Sequence, residues 1–357
     1  MSDPFRPRLN PALRRLWRDP HTLQLGVDPI RALVISDVDT ATVRFLAGLD
    51  GRRTHGEVLR DAASAGLDVG FVAEVLQGLR RGDALLDGTD VGDADHLGPD
   101  RAALSLLEDA TPAAVRLEAR KAATVLVHGA GRVGGPLAAL LAAAGVGAVS
   151  VVDEGIVEPS GYAPGGLAAA DLRRARRAAA HDAVRRAAPE VDTATPAPGR
   201  SPDLTIFTAG VPLEPEVRNA LHAAAVPHLV AGIRETTALI GPLVLPGRTS
   251  CLRCADLHRG DRDPDWPLLA MQLTTPDRQH AAPADVALAV TAAGLAGLQA
   301  LSYLDGALPA TVGGSLELSH PDWRIRRRTW PAHPDCGCLA ALDPIDEPIP
   351  LRPRRTG

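Results

Sequence analysis

A glycine-rich turn carries the first chemical signal in the sequence. Gly129, Gly131 and Gly134 lie between a strand-like run, Thr124–His128, and an apolar helical run. Glycines at this spacing let the backbone approach a phosphate, and the helix N-terminus adds N–H donors and the positive end of its dipole. Asp153 ends the next strand-like run, where a carboxylate can accept hydrogen bonds from ribose hydroxyls. The pattern predicts a nucleotide site without distinguishing NAD from ATP, and the alternative is a tight turn that binds nothing.

The four cysteines form two close pairs, Cys251-Leu-Arg-Cys254 and Cys336-Gly-Cys338. Thiolates are the ligands that zinc prefers in structural sites, and four of them complete its tetrahedral shell. In a reducing compartment this pattern predicts a closed, structural zinc site with four cysteine ligands that joins distant segments. Two disulfides, or unpaired thiols, fit the same residues. If all four hold zinc, no cysteine remains as a thioester-forming nucleophile.

Two charged segments could also bind a ligand. The run Asp256–Trp266 places acidic and arginine side chains beside one of the four tryptophans. It is either a substrate or oligomer loop, or a solvated loop whose charges pair internally. A second run, Arg173–Arg177, is predicted to lie on a helix, and its arginines either reach a nucleotide phosphate or form a solvated basic face.

The elements that must position these residues belong to an ordinary globular protein. The 357 residues are 45% hydrophobic and 23% charged, with a formal net charge of −5, which argues against disorder and against a general nucleic-acid binder. The N-terminus lacks the apolar core of a secretory signal. The apolar stretches 137–152 and 284–304 fall short of a span of about 20 strongly apolar residues. We therefore expect a cytoplasmic protein that contacts neither membrane nor nucleic acid.

Residues 1–88 are predicted to form a small α+β domain with a winged-helix shape. Short strand-like runs precede three helical runs, and Thr54 followed by Glu57 is typical of a capping box. The expected strands are 22–26, 31–35 and 84–86, and the expected helices are 40–49, one starting after 54, and 69–80. A Gly- and Asp-rich linker is predicted at 89–100.

The main domain is predicted at residues 101–342, followed by a flexible, proline- and arginine-rich tail at 343–357. Strand-like and helical runs alternate in the main domain, which favours an α/β, Rossmann-like, mainly parallel sheet. The predicted strands are 124–128, 148–152, 203–208, 228–231 and 242–245, and the predicted helices are 102–108 and 136–144.

The main domain resembles the ThiF-like, ubiquitin-activating-type adenylyltransferases. The resemblance rests on the glycine loop, on Asp153, and on a late strand that leads through Gly241–Ser250 into the first cysteine pair. It implies a protein that binds ATP with magnesium and adenylates the carboxylate of a peptide or protein, in peptide modification or sulfur-transfer-type chemistry. It also implies structural zinc and a homodimer. By this resemblance Arg132 and Arg176 would contact the phosphates.

Several positions depart from the family pattern. After Asp153, glycines and a proline replace the asparagine and arginine that touch phosphates in the family. The magnesium-associated aspartate is expected just after the third strand, where the chain has alanine, glycine and valine at 209–211. Such groups offset charge as pyrophosphate leaves, so their loss slows catalysis unless Glu154, Glu158 or Arg132 replaces them.

The N-terminal domain resembles the winged-helix domains of peptide-modification clusters, which bind a leader peptide as an added strand. By this resemblance the peptide cleft would include Trp17, Leu23, Leu25, Leu76 and Leu79. Winged helices also bind DNA, but the acidic net charge favours a peptide.

Three functions are therefore compared. The first is an ATP-dependent adenylyltransferase that activates a peptide carboxylate. The second is a catalytically degenerate scaffold that captures a leader peptide for a partner modification enzyme, which the missing aspartate favours. The third is an NAD-dependent oxidoreductase, which the glycine loop permits and the cysteine pairs disfavour.

Overall fold

The computed structural model describes residues 5–88, 95–107, 111–197, 199–208, 212–275 and 283–338. The chain divides into two compact units, Met1–Leu117 and Glu118–Gly357, and each is described by itself. The predicted tail at 343–357 and positions 89–94 of the predicted linker lie outside the described residues.

The N-terminal unit is a small α+β structure with two antiparallel sheets. The strands of this unit are β1 (Pro7–Leu9), β2 (Arg15–Asp19), β3 (Thr22–Leu25), β4 (Leu33–Ile35) and β5 (Leu85–Asp87). One sheet has the order β2-β3-β4 and the other pairs β1 with β5. The helices of this unit are α1 (Thr40–Ala47), α2 (His55–Ser64), α3 (Val69–Arg81) and α4 (Gly98–Leu104), and α5 (Ala113–Ala122) contains the unit boundary.

Side-chain caps explain where the helices of this unit begin. Asp39 accepts a hydrogen bond from the backbone of α1, and the predicted capping box at the start of α2 is confirmed, because Thr54 and Glu57 bond to each other's backbone N–H. The sequence analysis did not predict β1 and β2. Strand β2 is largely exposed, so its side chains lack the apolar alternation that signals a strand.

The C-terminal unit is built on a seven-stranded sheet with the order β12-β11-β10-β9-β8-β6-β7. Its strands are β6 (Thr124–His128), β7 (Ala148–Val152), β8 (Leu204–Phe207), β9 (His228–Arg234), β10 (Thr237–Val244), β11 (Gly314–Ser319) and β12 (Ile325–Thr329). Its helices are α6 (Gly134–Ala143), α7 (Arg176–Ala187), α8 (Pro215–Ala223), α9 (Leu252–Gly260), α10 (Trp266–Thr274) and α11 (Val286–Leu304).

The predicted Rossmann-like α/β class is confirmed, and the sheet has two halves. Strands β6, β7, β8 and β9 pair in parallel. Strands β10, β11 and β12 extend the sheet through antiparallel pairs, which the sequence analysis did not foresee. The carboxyl ends of the parallel strands meet at one edge, which is where ligands bind in such sheets.

Helix α11 is the longest apolar helix among the described residues, and by length and composition alone it could cross a membrane. It packs instead against α6 and against β9 and β10. Its buried side includes small residues such as Ala292, Ala296 and Ala300, which allow close packing on the sheet. This helix therefore belongs to the core of the C-terminal unit.

A buried ion pair fixes the carboxyl end of α11. Arg120 donates from Nε and Nη2 to the two carboxylate oxygens of Asp305, each at 2.7 Å, and both side chains are about 5% exposed. Arg120 also donates to the carbonyl of Ala144, at the end of α6. The two-pronged geometry offsets the cost of removing both charges from water.

We predict that Asp305→Ala destabilises the C-terminal unit by about 3–5 kcal/mol, because it removes the carboxylate that balances the buried Arg120 guanidinium. Urea denaturation followed by circular dichroism measures this. The matched control is Arg326→Met, which removes the exposed ion pair with Asp322 and should leave the unfolding midpoint unchanged. If both substitutions lowered the unfolding midpoint equally, the stabilising role of the buried Arg120–Asp305 ion pair would be contradicted.

Candidate functional site

The glycine loop joins β6 to α6 and requires glycine at both of its ends. Gly129 has a φ of +97°, in the region that favours glycine. A Cβ on Gly134 would lie 1.8 Å from the carbonyl oxygen of Gly129, so no side chain fits there. At Gly131, in contrast, a Cβ would meet no described residue within 4 Å. Among the described residues, the loop is therefore tight at its ends and open at its centre.

Asp153 follows β7 and faces this loop, as the strand order requires. Its Oδ2 accepts a hydrogen bond from the backbone N–H of Ala130 at 2.8 Å, and its Oδ1 accepts one from Gly155 at 2.8 Å. Each carboxylate oxygen can accept at least one further bond. Asp153 therefore braces the loop and retains acceptor capacity toward a ligand.

Thr208, which directly follows β8, is a site residue that the sequence analysis missed. Its hydroxyl lies 3.0 Å from the carbonyl oxygens of both His128 and Gly129. Its backbone N–H also donates to His128 O, at 2.9 Å. The available signal was its place at the end of a parallel strand, which brings it to the same edge as the glycine loop.

The centre of the loop offers unpaired donors. Among the described residues, none accepts a hydrogen bond from the backbone N–H of Gly131, Arg132 or Val133. These groups precede α6, so they also lie at the positive end of that helix. Together they form a cradle suited to an anionic group such as a phosphate.

The two arginines predicted near the phosphates have different surroundings. Arg132 donates from Nη1 to the carbonyl of Ala284 at 2.7 Å, while its buried Nε has no partner among the described residues. Nη1 of Arg176 lies 4.0 Å from Oδ2 of Asp153, and Nε of Arg176 donates to the carbonyl of Ile156. Arg176 is therefore close to the expected ribose position, whereas Arg132 ties the loop to the segment before α11.

The predicted helix over Arg173–Arg177 is wrong at its start, because α7 begins at Arg176. Arg173 has a positive φ of 67° in the preceding turn. Arg174 pairs with Asp171 and Asp182. Backbone pairing with residues 155–157 keeps this stretch out of the helix, since Arg173 donates to the carbonyl of Val157 and Arg174 accepts from the N–H of Val157. The predicted departure at 209–211 lies outside the described residues.

The four cysteines converge as the sequence predicts. Three pairs of sulfur atoms are 3.9, 3.4 and 3.3 Å apart, and all four lie within 4.8 Å of one another. A tetrahedral zinc ion with Zn–S bonds of about 2.3 Å would place its sulfurs about 3.8 Å apart. All four are free thiols, so the disulfide alternative does not describe this arrangement. The cluster could hold a metal ion.

Crowding makes the thiols unequal in the absence of a cation. A hydrogen bond from Cys251 lowers the pKa of Cys254 to about 4. Burial, followed by the interaction with Cys254, raises the pKa of Cys338 to about 12. The bond to Cys254 likewise raises the pKa of Cys251. Only a bound cation would stabilise four thiolates together.

His333 lies beside this cluster, but both of its ring nitrogens have partners. Nδ1 accepts from the backbone N–H of Asp335, so Nε2 carries the proton and donates to Asp261 at 3.0 Å. His333 therefore positions the loop of the second cysteine pair. Its ring also belongs to a second group that could hold a metal ion, because the ligand atoms of His258, Asp261 and His333 lie within 4.8 Å of one another.

The polar run Asp256–Trp266 is part helix and part turn. Asp256 accepts hydrogen bonds from both Arg218 and Arg259. The Arg259 guanidinium also lies over the rings of Trp266 and Trp330, at 5.1 and 4.9 Å. Burial lowers the pKa of Arg259. These contacts support the interpretation of a self-paired segment, with its tryptophan packed against a cation.

The predicted peptide cleft of the N-terminal unit needs correction. Leu23, Leu25, Leu76 and Leu79 are at most 3% exposed, because they pack together in the core of this unit. Of the five predicted cleft residues, only Trp17, at 51% exposure, could contact a partner. Alternation on β3 and the helical period of α3 point these leucines inward.

A different surface of this unit is open. Strand β4 lies at the edge of its sheet, and its Val34 is exposed, as is Ile30 just before it. Next to them is a hollow of about 340 Å³ whose lining includes Ile30, Leu33, Arg81 and Leu106. The lining of this hollow combines apolar and charged side chains. An edge strand beside such a hollow can accept an extended peptide.

Comparisons with known proteins agree with this architecture. Residues 104–201 match the model of the ThiF family. E. coli MccB solved with ATP has a TM-score of 0.74 at 14% identity, over 93% of this chain and 99% of that one. The microcin C7 biosynthetic enzyme MccB in complex with N-formylated MccA has a TM-score of 0.72 at 13% identity, over 93% and 99%. PaaA has a TM-score of 0.65 at 20% identity, over 89% and 98%. A search of curated protein sequences found no match.

We predict that the purified chain contains one tightly bound metal ion and that a strong chelator lowers its melting temperature, because the metal cross-links α9 to the segment after β12. Cys336→Ser should lower the metal content and melting temperature in parallel. Elemental analysis and differential scanning fluorimetry measure the two effects. A metal-free wild-type protein with unchanged stability would contradict this prediction.

Proposed function

Because the chain contains a ThiF-family domain, we propose that it binds ATP and activates a peptide carboxylate as an acyl-adenylate. The observation that carries this proposal is the open cradle of free backbone N–H groups at 131–133, with Asp153 beside it. The match to E. coli MccB, a structure solved with ATP, supports the same nucleotide. NAD is the alternative ligand that a glycine loop of this kind accommodates.

The chemistry follows from this placement. The phosphates lie against the amides at 131–133, and Asp153 accepts hydrogen bonds from the ribose hydroxyls. A carboxylate oxygen of the peptide attacks the α-phosphorus, forming a C–O–P bond as the bond to the β-phosphate breaks and pyrophosphate leaves. Arg176, next to Asp153, offsets phosphate charge. Arg132 contributes its Nε–H, which has no partner among the described residues.

The two implied metals differ in how well the residues fit. Zinc fits the four sulfurs, where it would serve a structural role by holding two distant segments together. Magnesium fits poorly, because the sequence has no carboxylate at 209–211 and the next acid is Glu214. Glu154 and Glu158, which follow Asp153 and are exposed, are the candidates to replace it. No step above depends on a metal.

The peptide is proposed to bind the N-terminal unit as an added strand along β4, with one side chain in the adjacent hollow. This unit then acts as a winged-helix-like recognition domain. Structures of MccB with MccA support a peptide partner. We also propose a cytoplasmic homodimer, which light scattering would test.

The second candidate function is a scaffold that captures a leader peptide for a partner modification enzyme. The missing carboxylate after β8 favours it, because adenylyl transfer needs a metal or a cation to stabilise the leaving pyrophosphate. Peptide-dependent exchange of radiolabelled pyrophosphate into ATP separates the two functions. Exchange supports the enzyme, and peptide binding without exchange supports the scaffold.

We predict that Gly131→Ala and Gly131→Leu weaken ATP binding stepwise, the second by at least about ten-fold, because the added side chain fills the space above the cradle. Both should keep the melting temperature, since a Cβ there meets nothing within 4 Å. Calorimetry with ATP, and NAD as comparison, measures affinity. Gly294→Ala, also without neighbours within 4 Å, is the control. Unchanged ATP affinity in Gly131→Leu would refute the site.

We predict that Ile30→Glu abolishes peptide capture, because it replaces the exposed apolar side chain at the hollow with a carboxylate that an apolar peptide side chain cannot pack against. The probe is a random 12-residue display library selected on the wild-type chain, and the enriched peptides are retested on the variant. Val69→Glu, a change at another exposed apolar residue that lies outside the hollow, is the control. Equal capture by both variants would place the peptide elsewhere.

A further inference from the structure

We propose that Thr208 is a positioning residue that fixes the peptide unit directly before the phosphate cradle, the unit linking Gly129 to Ala130. The inference rests on the proposed nucleotide site and assigns a role to a side chain that would not itself touch the nucleotide. Its basis is a pair of hydrogen bonds that hold this unit from both ends.

The carbonyl end is held by Thr208. Its hydroxyl lies 3.0 Å from Gly129 O, and among the described residues no other group donates to that oxygen. The same hydroxyl is 3.0 Å from His128 O, which already accepts the backbone N–H of Thr208. The hydroxyl carries one proton and shares it between these two carbonyl oxygens, which keeps it at the end of β6.

The amide end is held by Asp153. The N–H of Ala130 donates to Asp153 Oδ2 at 2.8 Å, and Ala130 is fully buried. Thr208 and Asp153, which follow β8 and β7, thus form hydrogen bonds to the two ends of one peptide unit in the loop after β6. Because β6 lies between those two strands, the bonds come from both sides of the loop.

Hydrogen bonds from outside the loop are needed to fix this peptide unit, because glycine allows the backbone to rotate. Gly129 has a φ of +97°, and glycine can occupy several backbone regions at little cost. Rotation about Gly129 would move its carbonyl oxygen relative to Gly134. The two residues are so close that a Cβ on Gly134 would lie 1.8 Å from that oxygen. It would also redirect the amides that follow, at Gly131, Arg132 and Val133. Thr208 therefore preorganises the cradle before a ligand arrives.

The test compares Thr208→Val, which removes the hydroxyl while keeping shape and the backbone N–H, with Thr208→Ser, which keeps the hydroxyl. Hydrogen–deuterium exchange without ligand should show faster exchange in the valine variant at the backbone N–H groups of the 129–135 segment that have acceptors, which are those of Gly129, Ala130 and Gly135. The serine variant should exchange as the wild type does. ATP affinity should fall about ten-fold in the valine variant, which is the loss expected for one missing hydrogen bond. It should remain unchanged in the serine variant. Thr208→Ala is the second hydroxyl-free variant, should valine disturb folding.

Two results would overturn the inference. One is exchange at 129–135 that is the same in all variants, and the other is serine behaving like valine. The ligand-free exchange experiment decides the role of Thr208 even if wild-type protein fails to bind ATP. That failure would refute the proposed function alone. Exchange that rises throughout the unit in Thr208→Ala would also count against a local positioning role.

Discussion

The close approach of Gly134 to the carbonyl of Gly129 is the constraint on which the candidate site depends. A methyl group at Gly134 would lie 1.8 Å from that oxygen, so the turn from β6 into α6 exists only with glycine at this position. The turn brings the first amides of α6 to the carboxyl edge of the sheet. Strand order then supplies Asp153 and Thr208 at the same edge. The candidate ligand site arises because three parallel strands end together.

The cysteine cluster imposes a second constraint, on the antiparallel half of the sheet. Cys251 caps α9 after β10, and Cys336 lies beyond β12, so the short sulfur distances join segments far apart in the chain. Beside them His333 donates a hydrogen bond to Asp261, and the half-buried Arg259 donates to Asp256 and lies over the ring of Trp330. These contacts support the segments that carry the cysteines, even though a chelated metal would provide the strongest link.

The N-terminal unit uses its apolar helix and strand faces in its own core. The exposed apolar residues that remain for the proposed peptide recognition include Val34, on edge strand β4, and Ile30, in the segment before it. Edge strands offer unpaired backbone groups, which suits a partner recognised largely through its main chain. Such a unit can serve an enzyme or a scaffold equally, so the absent carboxylate after β8 matters more for deciding between them.

The sequence by itself determined the features that depend on neighbouring residues or on one specific chemistry. The capping box of Thr54 and Glu57 and the strand–glycine–helix unit around Gly131 follow from local spacing, and the structure contains both. The two cysteine pairs are distant in the chain, but their convergence was predictable because zinc requires four ligands, and the structure brings them together. The tertiary structure alone decided which leucines face the core, how β10 to β12 extend the sheet, and that Thr208 reaches Gly129. These features depend on strand order and packing between distant segments. A one-dimensional pattern records what each segment prefers and not which other segment it meets.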